Sequence, residues 1–483
     1  MNSNIDYERY DGVGLARLVK DGRVNPAELL EAAIERVEQR NPAINAVVNR
    51  MYDQAKAAIA AGLPSGPFSG VPYLLKDIGP LYAGTITTFG SSTFRKFIPD
   101  QDSEMVVRLK RAGLVILGKT HTPEFGLSTS SESRLFGATH NPWNLEYSAG
   151  GSSGGSAAAI ASGMVPMAYA NDGGGSIRIP ASCCGLFGLK PTRARTPVGP
   201  LQGEWWSGMA IAHAITRSVR DSAALLDATA GPEIGDPYWA PPQKRSYQAE
   251  VGAHPGRLRI AFTTKPWNLH EVNSECVRRG ERGGKAMRRS WHLEETSPEI
   301  DQAALGKAIW VIITAQTRAR LQFAPIVLGR QATSEDVETV TWAYAENARQ
   351  FSARDYVEAI DVMHRTGRVV GRFFTGYDIL LTPTMCTPPH KLGQVSMMST
   401  DIERFLHMVG GDIAFTQLFN TTGNPAMSVP LHWSAEGLPV GVQFVAPFGH
   451  EATLFRLAAQ LETARPWTNH RPAQTYWPGH LIA

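Results

Sequence analysis

Cysteine is scarce. Four residues in 483 cannot build a disulfide framework, and Cys183 and Cys184 are neighbours in the chain. The thirteen histidines form no H-E-x-x-H pattern, and no cysteine spacing resembles a zinc site, so neither a metal nor any other cofactor is implied. A dominant charge is missing as well: 47 basic residues face 44 acidic ones, for a formal net charge of +3. That balance gives no electrostatic reason to expect nucleic acid or an anionic membrane as a partner. No apolar run is long enough for a bilayer of about 30 Å. The start, Met1–Asp6, has neither the basic nor the apolar region of a signal peptide. At 43% hydrophobic and 19% charged the chain is an ordinary globular one. The expectation is a protein of a reducing compartment, with the cytoplasm as the simplest address.

The first clear element is a helix. Asn25 suits its cap, Pro26 its first position, and Glu28 completes a capping box. Leu29, Leu30, Ala33, Ile34 and Val37 follow at helical spacing, and Asn41-Pro42 is the expected stop. Residues 62–70 read as loop and lead into Val71–Asp77, a short apolar run ending in charge. Asp102 or Ser103 caps a second helix through Arg111, with Gly113 just past its end. Leu114–Gly118 then reads as a strand covered on both faces, since it shows no alternation. Helix and short strand recur near 217–229 and 258–263, and strand Val440–Ala446 precedes helix Ala452–Ala464 near the end. Alternation of this kind predicts an α/β protein with a mostly parallel or mixed sheet. One segment fits this poorly. Arg278–Trp291 carries six basic residues and one acid. A solvated loop, a basic patch and a local reading-frame artefact all stay open, although too few aromatics interleave it for nucleic-acid binding.

Glycine and serine crowd the centre, in Gly150–Ser156 and again in Asp172–Ser176, with an Ala-rich stretch, Ala157–Ala170, read as helical between them. Glycine at this density lets backbone amides approach a ligand closely. A phosphate cradle would need a Gly-Lys-Ser/Thr ending, and neither cluster holds a lysine. A dinucleotide site would need an apolar strand beforehand, and His140–Ala149 is polar and broken by Pro142. A serine nucleophile beside consecutive backbone amides remains. Gly150-Gly151-Ser152-Ser153-Gly154 formally matches the G-x-S-x-G elbow of an α/β-hydrolase-type esterase, but the strand that elbow requires is missing. Alternatively, a lysine held neutral by burial activates the serine. Lys76, closing a mostly apolar run, is the candidate, although a lysine at a strand end commonly snorkels to water.

Longer motifs carry a resemblance. Gly150–Ala157, Asp172–Pro180 and Cys184–Thr192, together with Gly70-Val71-Pro72, Lys76-Asp77, Asp378–Pro383, Thr422–Ala426 and Gly437–Gln443, resemble the amidase signature hydrolases. Asn171–Gly175, Cys183-Cys184 and Gly199-Pro200 are similar to the branch that contains 6-aminohexanoate-cyclic-dimer hydrolases. The resemblance covers most of the chain and is weakest over 230–375. It implies an α/β fold with a large mixed, mostly parallel sheet covered by helices on both faces. One domain, 1–483, is expected, with a catalytic core about 65–220, a variable helical region about 230–375 and a closing sheet-and-helix segment about 376–470.

By the same resemblance Ser176 is the acyl-forming nucleophile and Ser152 the bridging serine, which follows a cis peptide bond. Lys76 is the base, and the amides of Gly173, Gly174, Gly175 and Ser176 form the oxyanion hole. Ser156 is left as a helix cap. Arg178 is expected to pair with a structural acid such as Asp172, and Cys183 and Cys184 to pack as small apolar residues. Gly126, Ser128, Trp205, Trp206 and Cys386 are the expected pocket residues. Gly199–Leu201, Met209–Ile211 and Met385 are expected to add apolar surface near Ser176. The implied activity is serine-dependent hydrolysis of a small neutral amide through an acyl-enzyme. A glutaminase subunit of an amidotransferase complex is the alternative, and a non-catalytic scaffold on this fold is disfavoured by intact Lys76, Ser152 and Ser176. The expected partner is a small-molecule amide, and a homodimer stays open.

Overall fold

The computed structural model describes residues 6–277 and 292–473. The basic segment Arg278–Trp291 therefore lies outside the described residues. Eleven strands form the main sheet: β1 (Val47–Arg50), β2 (Pro72–Lys76), β3 (Val115–Thr120), β4 (Met167–Asp172), β5 (Phe187–Lys190), β6 (Ile211–Thr216), β7 (Arg259–Phe262), β8 (His292–Glu295), β9 (Ile379–Pro383), β10 (Ala426–Trp433) and β11 (Pro439–Val445). Their order across the sheet is β1-β3-β2-β4-β6-β5-β10-β11-β9-β7-β8. The sheet is mixed, as expected. Parallel ladders join β3, β2 and β4 on one flank and β9, β7 and β8 on the other, while the pairs between β4 and β9 are antiparallel. Every residue of β2, β3, β6, β9 and β11 is buried, so both faces of the sheet are covered.

The first long helix, α1 (Pro26–Ile44), begins as expected: the Asn25 side chain and Glu28 form a reciprocal capping box. It does not stop at Asn41-Pro42 but continues for another turn, ending in Asn45 with left-handed backbone. Proline removes one backbone N–H in this last turn, at the cost of one helical hydrogen bond. Meanwhile the buried Asn41 side chain accepts from the amides of Ala46 and Val47 and fastens the exit to β1. Helix α2 (Glu104–Arg111) has Ser103 at its cap and Gly113 at φ +85°, the left-handed exit for which glycine is suited.

The Ala-rich stretch divides in two. Its first half is the wholly buried helix α3 (Gly154–Ala161), and its second half is strand β4. Alanine favours helix intrinsically, and in the second half pairing with Ile211–Thr216 overrides that preference. Ser156 does not cap: it lies inside α3 and donates to the Tyr169 carbonyl at 2.7 Å, tying α3 to β4. Beyond β4 a short turn leads into α4 (Arg178–Cys184). Two long helices, α5 (Gln302–Leu321) and α6 (Ala353–Gly376), pack on one another across the variable region. Helices α7 (Ile402–Ile413) and α8 (Gln417–Thr422) complete the surroundings of the β4–α4 turn.

Candidate active site

Lys76 is the last residue of β2 and is fully buried. Its Nζ lies 2.7 Å from Ser152 Oγ and 2.7 Å from Asn171 Oδ1. Asn171 is fixed in turn, donating to the Ile78 carbonyl at 3.1 Å. Burial pushes the Lys76 ammonium well below its ordinary range, and the Asp172 carboxylate opposes this only in part. The side chain has not snorkelled.

Ser152 is aimed by its loop. The Gly151–Ser152 peptide bond is cis, matching the expectation from the resemblance. Ser131 Oγ donates to the Gly150 carbonyl at 3.1 Å and accepts from the Gly154 amide at 3.0 Å, clamping the loop from both ends. A Cβ at Gly151 would lie 2.6 Å from the Ser128 carbonyl oxygen, which excludes any side chain there.

Ser176 closes the turn between β4 and α4. The buried Asp172 carboxylate accepts from the amides of Ile177 at 3.1 Å and Arg178 at 3.4 Å. It also takes Arg178 Nε at 2.9 Å and Nη2 at 2.8 Å. The remaining Arg178 donors reach the Thr416 carbonyl, Gln443 and Asn420. Burial works to raise the Asp172 carboxyl, but the Arg178 charge overrides it and holds the group at about 2. The ion pair expected from sequence is thus present, and its members are enclosed completely. Among the described residues the amides of Gly173, Gly174, Gly175 and Ser176 make no hydrogen bond, although the next two amides do. Gly175 sits at φ +140°, and a Cβ there would meet Ile179 and Thr416 at 2.6 Å. Thr416 Oγ1 donates to the Gly174 carbonyl at 2.6 Å, so that carbonyl is engaged while the amides stay free.

Ser152, Ser176, Gly173 and Asn171 open onto one cavity of about 490 Å³. Of the expected pocket residues, Gly126, Trp205 and Trp206 line it, together with Gly199, Pro200 and Leu201. Ser128 and Cys386 do not. Ser128 is buried and donates to the Val395 carbonyl at 3.1 Å, and Cys386 packs in an apolar cluster with Trp267, Phe415 and Phe419. Met385, Met209 and Ile211 are likewise buried rather than on the cavity wall, whereas Ala210 does line it. The rest of the wall was not foreseen: Phe89, Phe94, Phe97 and Phe125 make an aromatic cluster, and Gln316, Arg320 and Phe323 come from the end of α5 and the segment after it. Nothing in the sequence marks Asn171 as the partner of Lys76, although it opens the Asn171–Gly175 motif.

An amidase family model matches residues 28–455. The chain belongs to the amidase family. A curated 6-aminohexanoate-cyclic-dimer hydrolase from Pseudomonas sp. (strain NK87) is 38% identical over 476 residues, 96% of each chain. A solved 6-aminohexanoate cyclic dimer hydrolase complexed with substrate superposes with a TM-score of 0.91 at 37% identity, covering 97% of this chain and 99% of that one. A bacterial aryl acylamidase of the amidase signature family follows at TM-score 0.87 and 27% identity, covering 95% and 97%. This amidase is therefore a hydrolase of carbon–nitrogen bonds other than peptide bonds. Among its described residues no cluster suited to holding a metal occurs, and no helix is long and apolar enough to cross a membrane.

Proposed function

We propose that this amidase cleaves a small carboxylic amide, neutral at its scissile end, through an acyl-enzyme on Ser176. What carries the reading is the 2.7 Å contact between buried Lys76 Nζ and Ser152 Oγ, beside a turn of four unengaged amides. Neutral Lys76 keeps an N–H on Asn171 and turns its lone pair to the Ser152 hydroxyl. Ser152 passes its proton to Lys76 and takes the Ser176 proton as Ser176 Oγ attacks the amide carbon. The carbonyl oxygen gains negative charge, which the amides of Gly173–Ser176 are placed to receive without reorganising. Collapse breaks the C–N bond, and the stored proton returns through Ser152 to the leaving nitrogen. Water then enters, loses a proton along the same path, and releases the acid with Ser176 restored.

Linear, cyclic and aryl amides are all compatible with a cavity whose wall includes Phe89, Phe94, Phe97, Phe125, Trp205 and Trp206. The 38% identity to a cyclic-dimer hydrolase supports a cyclic amide among them. A hydrolysis panel spanning the three types, with glutamine included, tests the assignment. Turnover of neutral amides by the isolated chain is expected. Turnover of glutamine alone would instead favour the glutaminase-subunit alternative. A sulfonyl fluoride should label Ser176; labelling of Ser152 with Ser176 untouched would overturn the roles of the two serines.

A further inference from the structure

The cavity wall holds a positive charge that the chemistry above does not use. Arg320 lies in the last turn of α5, one helical turn beyond Gln316, and both side chains line the cavity that holds Ser152 and Ser176. Its guanidinium stands over two rings, 5.5 Å from the centre of Phe89 and 6.0 Å from that of Phe125. Phe125 precedes Gly126, where a Cβ would come within 3.2 Å of Ser152 Oγ, so the wall that carries the charge runs on toward the reacting centre. Burial is the cause that works against the Arg320 charge, and no acidic neighbour offsets it. Arginine nonetheless stays ionised in proteins.

The other charged groups on the wall are accounted for. Asp102 accepts from the Ala83 amide and from Lys110. Glu204 is exposed to solvent, and Arg193 is the arginine that feels its charge. Among the described residues the Arg320 side chain forms no ion pair and no hydrogen bond. Its rings and the helix C-terminus ease its charge but offer no oxygen to its five donors. A planar, partly buried fork facing a cavity is suited to a carbonyl or carboxylate oxygen.

We propose that Arg320 is a specificity-determining residue that holds a second acyl oxygen of the substrate, at the end away from the scissile bond. That oxygen is a carbonyl in a neutral diamide and a carboxylate in an amido acid. The inference rests on the reading of this cavity as the site of amide cleavage. Arg320 thus adds a cation to a wall that the sequence leads one to expect as apolar surface.

Two series of linear amides of matched length test it, one varied at the end of the acyl chain and one at the end of the amine chain. Each ends in methyl, primary carboxamide or carboxylate. In one of the two series the purified enzyme should prefer the oxygen-bearing ends over methyl by about tenfold or more in kcat/KM, the scale of a hydrogen bond to a charged group. Arg320→Met should bring that ratio to within about threefold, with Arg320→Gln as a second variant should the first fail to fold. The order of carboxamide and carboxylate tells which source of the oxygen the site favours. No preference in either series of the unaltered enzyme would overturn the proposal, as would a preference that survives both substitutions. Persistent turnover by Ser176→Ala would instead defeat the acyl-enzyme reading, so the two failures are distinguishable.

Discussion

Two regions meet at the cavity and are built on opposite plans. The reacting side, from β2 through the Ser152 loop to the β4–α4 turn, is made of glycine, serine and buried charge. There a Cβ at Gly151 or Gly175 would collide within 2.6 Å, and hydrogen bonds hold Lys76, Asn171 and Asp172 in place. The facing wall, Phe89–Phe97 and the end of α5, is made of large side chains on separate elements, held by ring contacts. The first side tolerates almost no change in shape. The second can change occupants while the frame stands. Chemistry is therefore concentrated where the backbone is crowded, and selectivity where side chains are interchangeable.

The sharpest way to test this division is to remove the proposed nucleophile. Ser176→Ala should lower kcat by about 10⁴-fold or more, while binding of an uncleaved amide, followed by calorimetry, stays near its original strength. Lys76→Met should cost about 10³-fold or more, because the proton relay loses its terminus. Equal losses from a substitution on the phenylalanine wall would break the comparison.

Next in size is the frame. Asp172→Asn leaves Arg178 charged, buried and without its counter-ion, so unfolding by denaturant should show a loss of about 3–5 kcal/mol. Activity should fall with it, since Ile177 and Arg178 amides lose a carboxylate that orients the turn. A stable and fully active variant would show that the turn does not depend on the pair.

Proton handling gives the third test. Only neutral Lys76 can accept a proton, and burial lowers its pKa, so kcat/KM should rise with pH and level off below the ordinary lysine range. Asn171→Asp places a carboxylate beside Nζ, which favours the ammonium and raises that pKa. The rising limb should move to higher pH by about one to three units. A limb that moves down or stays would disconnect it from Lys76.

The smallest effect is expected at the mouth. Phe323 is 54% exposed yet lines the cavity. Phe323→Ser should change KM a few-fold and leave thermal stability almost untouched, as surface substitutions commonly do.

The same division explains what could be read from the chain before its structure. Lys76, Ser152, Ser176 and the Gly173–Gly175 turn stand in contiguous motifs, because crowded backbone demands glycine at fixed spacing. The capping box of α1 and the exit at Gly113 are equally local. Other features depend on partners far along the chain. Pro42 reads as a stop until Asn41 is seen holding Ala46 and Val47. Met167–Ala170 looks helical by composition and becomes part of a strand because Ile211–Thr216 pairs with it. Ser128 and Cys386 lie close to motif residues but point into Val395 and an apolar cluster. Arg320 carries no local signal at all: its meaning comes from Phe89 and Phe125, some two hundred residues earlier.

The Arg178 cluster also sets a schedule for the molecule. Arg178 is translated early, but the groups that complete its hydrogen bonding are Thr416, Asn420 and Gln443, which emerge 238 to 265 positions later. Loop closure over such separations comes late in folding. Until the β10–β11 hairpin has left the ribosome, the nascent amidase carries the proposed nucleophile on a turn without its final supports. On the proposed roles, a newly made chain is expected to gain activity only once these closing strands have formed.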